Sequence, residues 1–274
     1  MLPPNTFKRA LAAGQPQIGL WSVLASPYAT ELVAGAGYDW VLLDTEHTPS
    51  DVPLMLQQLQ AVAAAVPADA ARPTAAVVRP AWNDAVLIKR YLDIGAQTLL
   101  LPFVQNADEA RAAVAATRYA PAGIRGMGGS VRAANFGRAA GYVDGAHREI
   151  CVLVQVETRE ALAEIEAIAA VEGVDGIFIG PSDLSASMGH AANPGHPEVR
   201  AAIDDAIRRI RACGKAPGIL MVDELRAREC LAAGALFVAV AMDLLILRNG
   251  ADGAAQRFRA GGVAGAGHSS GSGY

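Results

Sequence analysis

The amino-acid sequence predicts an α/β protein folded as a closed (β/α)8 TIM barrel, and three observations carry that prediction. Short runs of apolar and β-branched residues alternate with alanine-rich stretches of helical spacing from residue 17 to about residue 260. Each run is nearly continuous in apolar character, the pattern of parallel strands covered on both faces. The runs number eight in a chain of 274 residues, and barrels of eight βα units typically take about 250.

In chain order the strands are expected in QIGLWSVL (17–24), DWVLLDTEH (39–47), TAAVVRP (74–80), TLLLPFV (98–104), ICVLVQVET (150–158), VDGIFIGPSD (174–183), APGILMV (216–222) and ALFVAVAMD (235–243). Glycine ends the helical stretch before several of them, in AGAGYDW, DIGAQTL, VEGVDGI and LAAGALF, so the αβ turns are short. Asp51, Asn106, Asp183 and Asp223 stand where a side-chain oxygen could cap the next helix. The connection PAGIRGMGGSVRAANFGRAA (121–140) breaks the rhythm, and a loop of that length is expected to be a lid or a binding segment. One catalytic domain over residues 1–260 follows, with the glycine- and serine-rich 261–274 read as a flexible tail.

Composition narrows the function. The chain is 52% hydrophobic and 18% charged, which suits a large core that can enclose a cavity. A net charge of −4 favours neither a nucleic-acid backbone nor an anionic membrane surface. No run approaches the roughly 18 apolar residues of a membrane span, and MLPPNTFKRALAAGQP has no apolar stretch of secretory length, so a cytoplasmic location and small-molecule partners are expected. Cys151, Cys213 and Cys230 lack the spacing of a zinc or redox motif and read as reduced thiols. Phosphate-loop, dinucleotide, nucleophile-elbow and HExxH motifs are absent, and Lys89 belongs to a helical stretch, which leaves Schiff-base chemistry without a strand-end lysine.

In a barrel of this kind the active site lies at the C-terminal ends of the strands. Strand two ends in Asp44, Glu46 and His47, strand three in Arg79, strand five in Gln155 and Glu157, strand six in Ser182 and Asp183, and strand eight in Asp243. Glu157 and Asp183 are one βα unit apart, so they meet at adjacent strand ends, where two carboxylates suit one hard divalent cation, Mg2+ or Mn2+. Singly, each has another reading: Asp183 as a helix cap, Glu157 as an acid favoured by a helix N-terminus. His47 reads as a general base oriented by Asp44, or as a hydrogen-bonded turn residue. Glu46 and Asp93 read as partners of that histidine or of the metal, or as solvated carboxylates. Arg79, between an apolar strand and a proline, suits a carboxylate or a developing enolate oxygen, or a structural salt bridge. Arg125 in GIRGMGG would bind a second substrate carboxylate or decorate a loop.

The segments IGLWSVLASPYATELVAGAGYDWVLLDTEHTPSD, VRPAWNDAVLIKRYLDIGAQTLLLPFVQNADEA, YAPAGIRGMGG, VLVQVET and GIFIGPSDLSASMG, in this order and spacing over roughly residues 5 to 255, resemble the class II pyruvate aldolases. The resemblance implies a barrel of the phosphoenolpyruvate/pyruvate-domain type and divalent-metal-dependent, reversible retro-aldol cleavage of a 4-hydroxy-2-oxo acid, such as 4-hydroxy-2-oxoheptanedioate or a 2-dehydro-3-deoxy sugar acid, to pyruvate and an aldehyde. It implies His47 as base with Asp44 and Asp93 in its relay, Arg79 on the pyruvyl oxygen, and Glu157 and Asp183 on the metal, with Co2+ or Zn2+ as further candidates. Gln155 and the backbone from Gly180 to Ser182 would meet the pyruvyl group, while Trp21 and Leu220 would wall the aldehyde half. It also implies a homo-oligomer, a hexamer, with the last helix exchanged between partners. Two other readings remain: a carbon–carbon lyase for coenzyme A thioesters on a related barrel, and a non-catalytic barrel that binds oxo-acids.

Overall fold

The structure, a computed structural model, describes residues 3–66 and 73–260. The expected tail at 261–274 lies outside the described residues. The elements run α1 (Thr6–Ala12), β1 (Gln17–Ser22), α2 (Pro27–Ala34), β2 (Trp40–Asp44), α3 (Val52–Ala64), β3 (Ala75–Arg79), α4 (Ala85–Asp93), β4 (Thr98–Leu101) and α5 (Ala107–Thr117). A 3-10 turn at Arg132–Gly137 and α6 (Tyr142–Glu149) precede β5 (Cys151–Val156), α7 (Arg159–Ala163), α8 (Ile165–Ala169), β6 (Gly176–Ile179) and α9 (Pro181–Ser187). The chain continues through α10 (Pro197–Ala212), β7 (Ala216–Leu220), α11 (Glu224–Ala232), β8 (Phe237–Met242) and α12 (Asp243–Ala260).

The strands close into one parallel barrel in sequence order, β1 pairing with both β2 and β8. Every predicted strand run contains one of the eight. Asp51, Asn106 and Asp223 accept from the amides of Leu54, Glu109 and Arg226 at 3.0, 2.9 and 2.8 Å, which caps α3, α5 and α11. Asp183 is not a cap. It sits in the first turn of α9, whose cap position is Gly180. The helix-ending glycines Gly95, Gly173 and Gly234 have φ of 105°, 100° and 110°, a region that side chains with a Cβ avoid.

Side chains alternate between the barrel interior and the helix layer. Along β2, Trp40 and Leu42 point inward while Val41 and Leu43 pack under the helices. The interior holds Trp21, Trp40, Phe178 and Phe237, and Gly19 and Gly218 make room for two of these rings: a Cβ on Gly19 would overlap the Trp40 indole, and one on Gly218 the Phe237 ring. The short α1, which lacks a pattern long enough to read in the sequence, closes the floor. Its Phe7 meets Trp40 and Phe237 at ring-centroid distances of 5.9 and 6.0 Å, and burying such a ring contributes about 1.5–3 kcal/mol.

The 121–140 connection differs from the expected lid. It joins α5 to β5, so it lies at the floor, where helices hand over to strands. It is tied down there: Tyr119 bridges to Arg125, and Arg132 Nη1 donates to the Ile94 carbonyl at 2.6 Å. Cys151 and Cys230 are buried and Cys213 is half-buried, all three as free thiols.

Candidate active site at the strand C-termini

The register of β2 against β3 makes Asp44 and Arg79 direct neighbours at the rim. Arg79 Nε and Nη2 donate to the two carboxylate oxygens of Asp44 at 2.8 and 2.6 Å, and Nη1 lies 2.7 Å from Glu46 Oε2. Below, the guanidinium rests on Trp21, 4.7 Å from the ring centroid. A guanidinium has five N–H donors, so two remain after these three contacts. Asp44 and Arg79 are buried, and so is Trp21, which puts the indole in the barrel interior as support for the arginine. Thr45 fastens the same corner, its amide and hydroxyl both donating to the Arg79 carbonyl, at 3.0 and 2.6 Å.

One residue past β5, the Glu157 carboxylate is buried and receives two hydrogen bonds, from the Phe103 amide at 2.9 Å and from Gln155 Nε2 at 2.6 Å. Burial pushes its carboxyl up to about 7; the two hydrogen bonds oppose that shift, and the neighbouring Asp183 and Glu46 charges add to it. Burial also raises the Glu46 carboxyl, with Arg79 and His47 pulling the other way and Asp44 and Asp183 reinforcing it. Gly180 allows this packing, because a Cβ there would lie 2.7 Å from Glu157 Oε2. Asp183 is exposed and accepts no hydrogen bond among the described residues.

These carboxylates feel one another and crowd a partly dehydrated rim, which is the charge arrangement a divalent cation relieves. The buried Gln155 Oε1 has no hydrogen-bond partner among the described residues. Glu157 and Asp183, with oxygen donors from adjacent strand ends, therefore fit a hard cation.

His47 stands at the rim with 69% of its side chain exposed, its Nε2 3.8 Å from Glu46 Oε1. Asp44 is engaged by Arg79 and by the Glu46 amide, so the carboxylate nearest the imidazole is Glu46. The turn spacing suggested Asp44; strand register decides otherwise. Ser182 is exposed in the first turn of α9, and Leu220 is half-buried at the end of β7. Asp243 is a clamp: it accepts from Ser22 Oγ at 2.8 Å and from the amides of Val23, Leu24 and Leu244 at 2.9, 3.3 and 2.7 Å.

Two predicted site residues stand elsewhere. Asp93 ends α4 and so lies near the floor, where its Oδ1 accepts from Arg125 Nη2 at 2.8 Å. Arg125 is fully enclosed there, 4.5 Å over the Tyr119 ring. Within one chain the structure brings Asp93 to Arg125 and not to His47. Conversely, Phe103 was not singled out in the sequence. Its φ of 53°, unusual for a residue with a Cβ, turns its amide onto Glu157, and its ring stacks on Trp82 at 5.5 Å. Nothing local in LPFVQ signals that conformation.

Comparison with known proteins agrees with the barrel fold. Residues 17–250 match the family described as HpcH/HpaI aldolase/citrate lyase. A Klebsiella pneumoniae protein named 4-hydroxy-2-oxo-heptane-1,7-dioate aldolase is 58% identical over 255 residues, covering 93% of this chain and 94% of that one. Among solved structures, an HpcH/HpaI aldolase/citrate lyase family protein from Burkholderia cenocepacia J2315 is 39% identical with a TM-score of 0.87, covering 93% and 99% of the two chains. An HpcH/HpaI aldolase from Desulfitobacterium hafniense DCB-2 is 27% identical with a TM-score of 0.82, covering 92% and 96%. The chain belongs to the HpcH/HpaI aldolase/citrate lyase family.

Proposed function

We propose that this carbon–carbon lyase cleaves a 4-hydroxy-2-oxo acid reversibly to pyruvate and an aldehyde, with a divalent cation held by Glu157 and Asp183. The observation that carries the reading is the buried Glu157 carboxylate, raised to about 7 among neighbouring carboxylates and placed on the same rim as Arg79 and His47. The 58% identity to a protein named 4-hydroxy-2-oxo-heptane-1,7-dioate aldolase supports this substrate class. The all-oxygen donor set favours Mg2+ or Mn2+, with Co2+ or Zn2+ as alternatives. When bound, such a cation supplies Lewis acidity toward the oxo-acid oxygens and stabilises enolate charge.

The chain's own residues then divide the work. His47 Nε2 takes the proton of the 4-hydroxyl, and Glu46 beside it stabilises the imidazolium. The carbon–carbon bond breaks, releasing the aldehyde. Arg79 directs its two remaining N–H groups at the pyruvyl oxygen on which charge develops, and Asp44, Glu46 and Trp21 hold it in place beforehand. Gln155 Oε1, buried without a partner, is available to a bound water or substrate hydroxyl. The proton held by His47 returns, directly or through water, to the enolate carbon and gives pyruvate. Ser182 and Leu220, at the ends of neighbouring elements, border the substrate.

The exposed apolar residues of α12, Leu244, Ile246, Leu247 and Phe258, support a homo-oligomer, a hexamer, in which that helix packs on a partner. Among the described residues no helix is long and apolar enough to cross a membrane; we place the enzyme in the cytoplasm, with residues 1–260 as its one catalytic domain. Exchange of the pyruvate methyl protons in D2O tests the reading. Metal-dependent exchange that disappears in H47A and E157Q is expected, with losses of about 10²–10⁴-fold for the histidine. No exchange with any divalent ion would sink it.

A further inference from the structure

The connection from α9 to α10 gathers a second group of donors, none of them among the rim residues described above. His190 and His196 stack face to face, ring centroids 3.5 Å apart and planes 15° from parallel. His190 Nε2 lies 3.1 Å from Glu198 Oε2, and one donor atom from each of His190, His196 and Glu198 falls within 4.8 Å of the others. Among the described residues this is the group of histidine and carboxylate donors gathered so closely.

The backbone that carries them is folded in place. His190 N donates to the Ser185 carbonyl at 2.7 Å, Asn193 N to the His190 carbonyl at 2.9 Å, His196 N to the Asn193 carbonyl at 3.1 Å and Arg200 N to the His196 carbonyl at 2.9 Å. Ala192 adopts φ of 59°, a strained value for a residue with a Cβ, so the turn is held against a local cost. A neutral imidazole offers one nitrogen lone pair to a metal, and His196 Nδ1 accepts from the Glu198 amide at 3.3 Å.

The geometry points to a second metal site, His190–His196–Glu198, that takes a late divalent transition cation such as Zn2+, Ni2+ or Cu2+. Two imidazole nitrogens and one carboxylate oxygen form a donor set that these ions prefer and that Mg2+ does not. Donors around Zn2+ sit about 2.0–2.2 Å from the ion, and an imidazole binds in the plane of its ring, so the two stacked rings open by side-chain rotation to face one ion. Their position on the surface leaves further coordination positions to water. Occupancy ties the C-terminal end of α9, the helix that carries Asp183, to the start of α10. The assignment does not rest on the chemistry of the rim.

Full-length, metal-free E157Q/D183N, in which the rim carboxylates are neutralised, is the protein to test. Dialysed against Zn2+ it is expected to retain one equivalent per chain that Mg2+ does not displace, and Cu2+ in its place should show EPR splitting from two imidazole nitrogens. Adding H190A/H196A removes that equivalent. H190Q/H196Q, which keeps polarity and bulk, removes it too, and each histidine pair variant on the wild-type background keeps the wild-type rate of pyruvate exchange. Retention of the zinc in both histidine variants, or none retained by E157Q/D183N, overturns the assignment.

Discussion

Two buried arginines sit at opposite ends of the barrel in similar surroundings. Arg79 at the rim and Arg125 at the floor each bind a carboxylate and each lie over an aromatic ring. Around Arg125 the formal charges cancel in its ion pair with Asp93, and the phenols of Tyr119 and Tyr142 lie beside it, although its Nε and Nη1 are buried without a hydrogen-bond partner among the described residues. Around Arg79 the charges do not cancel. Asp44 and Glu46 already exceed one positive charge, and Glu157 and Asp183 stand beyond them on the same rim. A balanced arginine holds a fold together, whereas surplus negative charge around an arginine at a strand-end rim is the arrangement that a bound cation would relieve.

Replacing each arginine by lysine is the most direct attack on this contrast. R79K should lower kcat for pyruvate exchange by about 10²–10³-fold, because the lysine loses the planar fork that faces the enolate oxygen. R125K should leave the rate close to wild type and instead lower unfolding free energy by about 2 kcal/mol in a denaturant titration. A large loss of rate with little loss of stability in R125K would erase the distinction.

A smaller effect comes from pH. The Glu157 carboxyl is raised from its usual 4.5 to about 7 in the folded protein, so between those values the folded state holds a proton that the unfolded chain has released. Stability associated with this group is therefore present at low pH and is lost as pH rises through about 7. In EDTA the wild-type thermal midpoint should fall between pH 5 and pH 8 more steeply than that of E157Q. Adding Mn2+ at pH 8 should restore the wild type alone. Parallel slopes in the two proteins would mean that the glutamate is not the strained member of the rim.

Much of the fold was legible because parallel strands buried on both faces leave unbroken apolar runs, and because glycines with positive φ punctuate the helix ends. The helix α1 escaped notice because seven residues carry too little periodicity to read. For the candidate site, position at a strand end was enough to place Arg79, Glu157, Asp183 and His47 on one rim. Partnerships were harder. Asp44 is three residues from His47 in sequence but opposite Arg79 in the sheet, and register is a long-range property. Asp93 and Arg125 lie on a helix end and an αβ connection, and both turn away from the rim once the chain direction is known. Phe103 reaches Glu157 through its backbone amide, which every residue has, so its side chain gave no clue.

The Asp243 clamp ties the end of β1 to the start of the last helix, across the seam where β8 meets β1. On the ribosome β1 is the first strand of the barrel to be made and its neighbour β8 the last. Its edge has no native partner on that side until β8 emerges, and Ser22, Val23 and Leu24 have no acceptor there until Asp243 follows. A nascent chain halted before β8 would hold seven strands with an open edge, a form suited to chaperones rather than to substrate. The closed barrel thus depends on a carboxylate that is translated only after all eight of its strands.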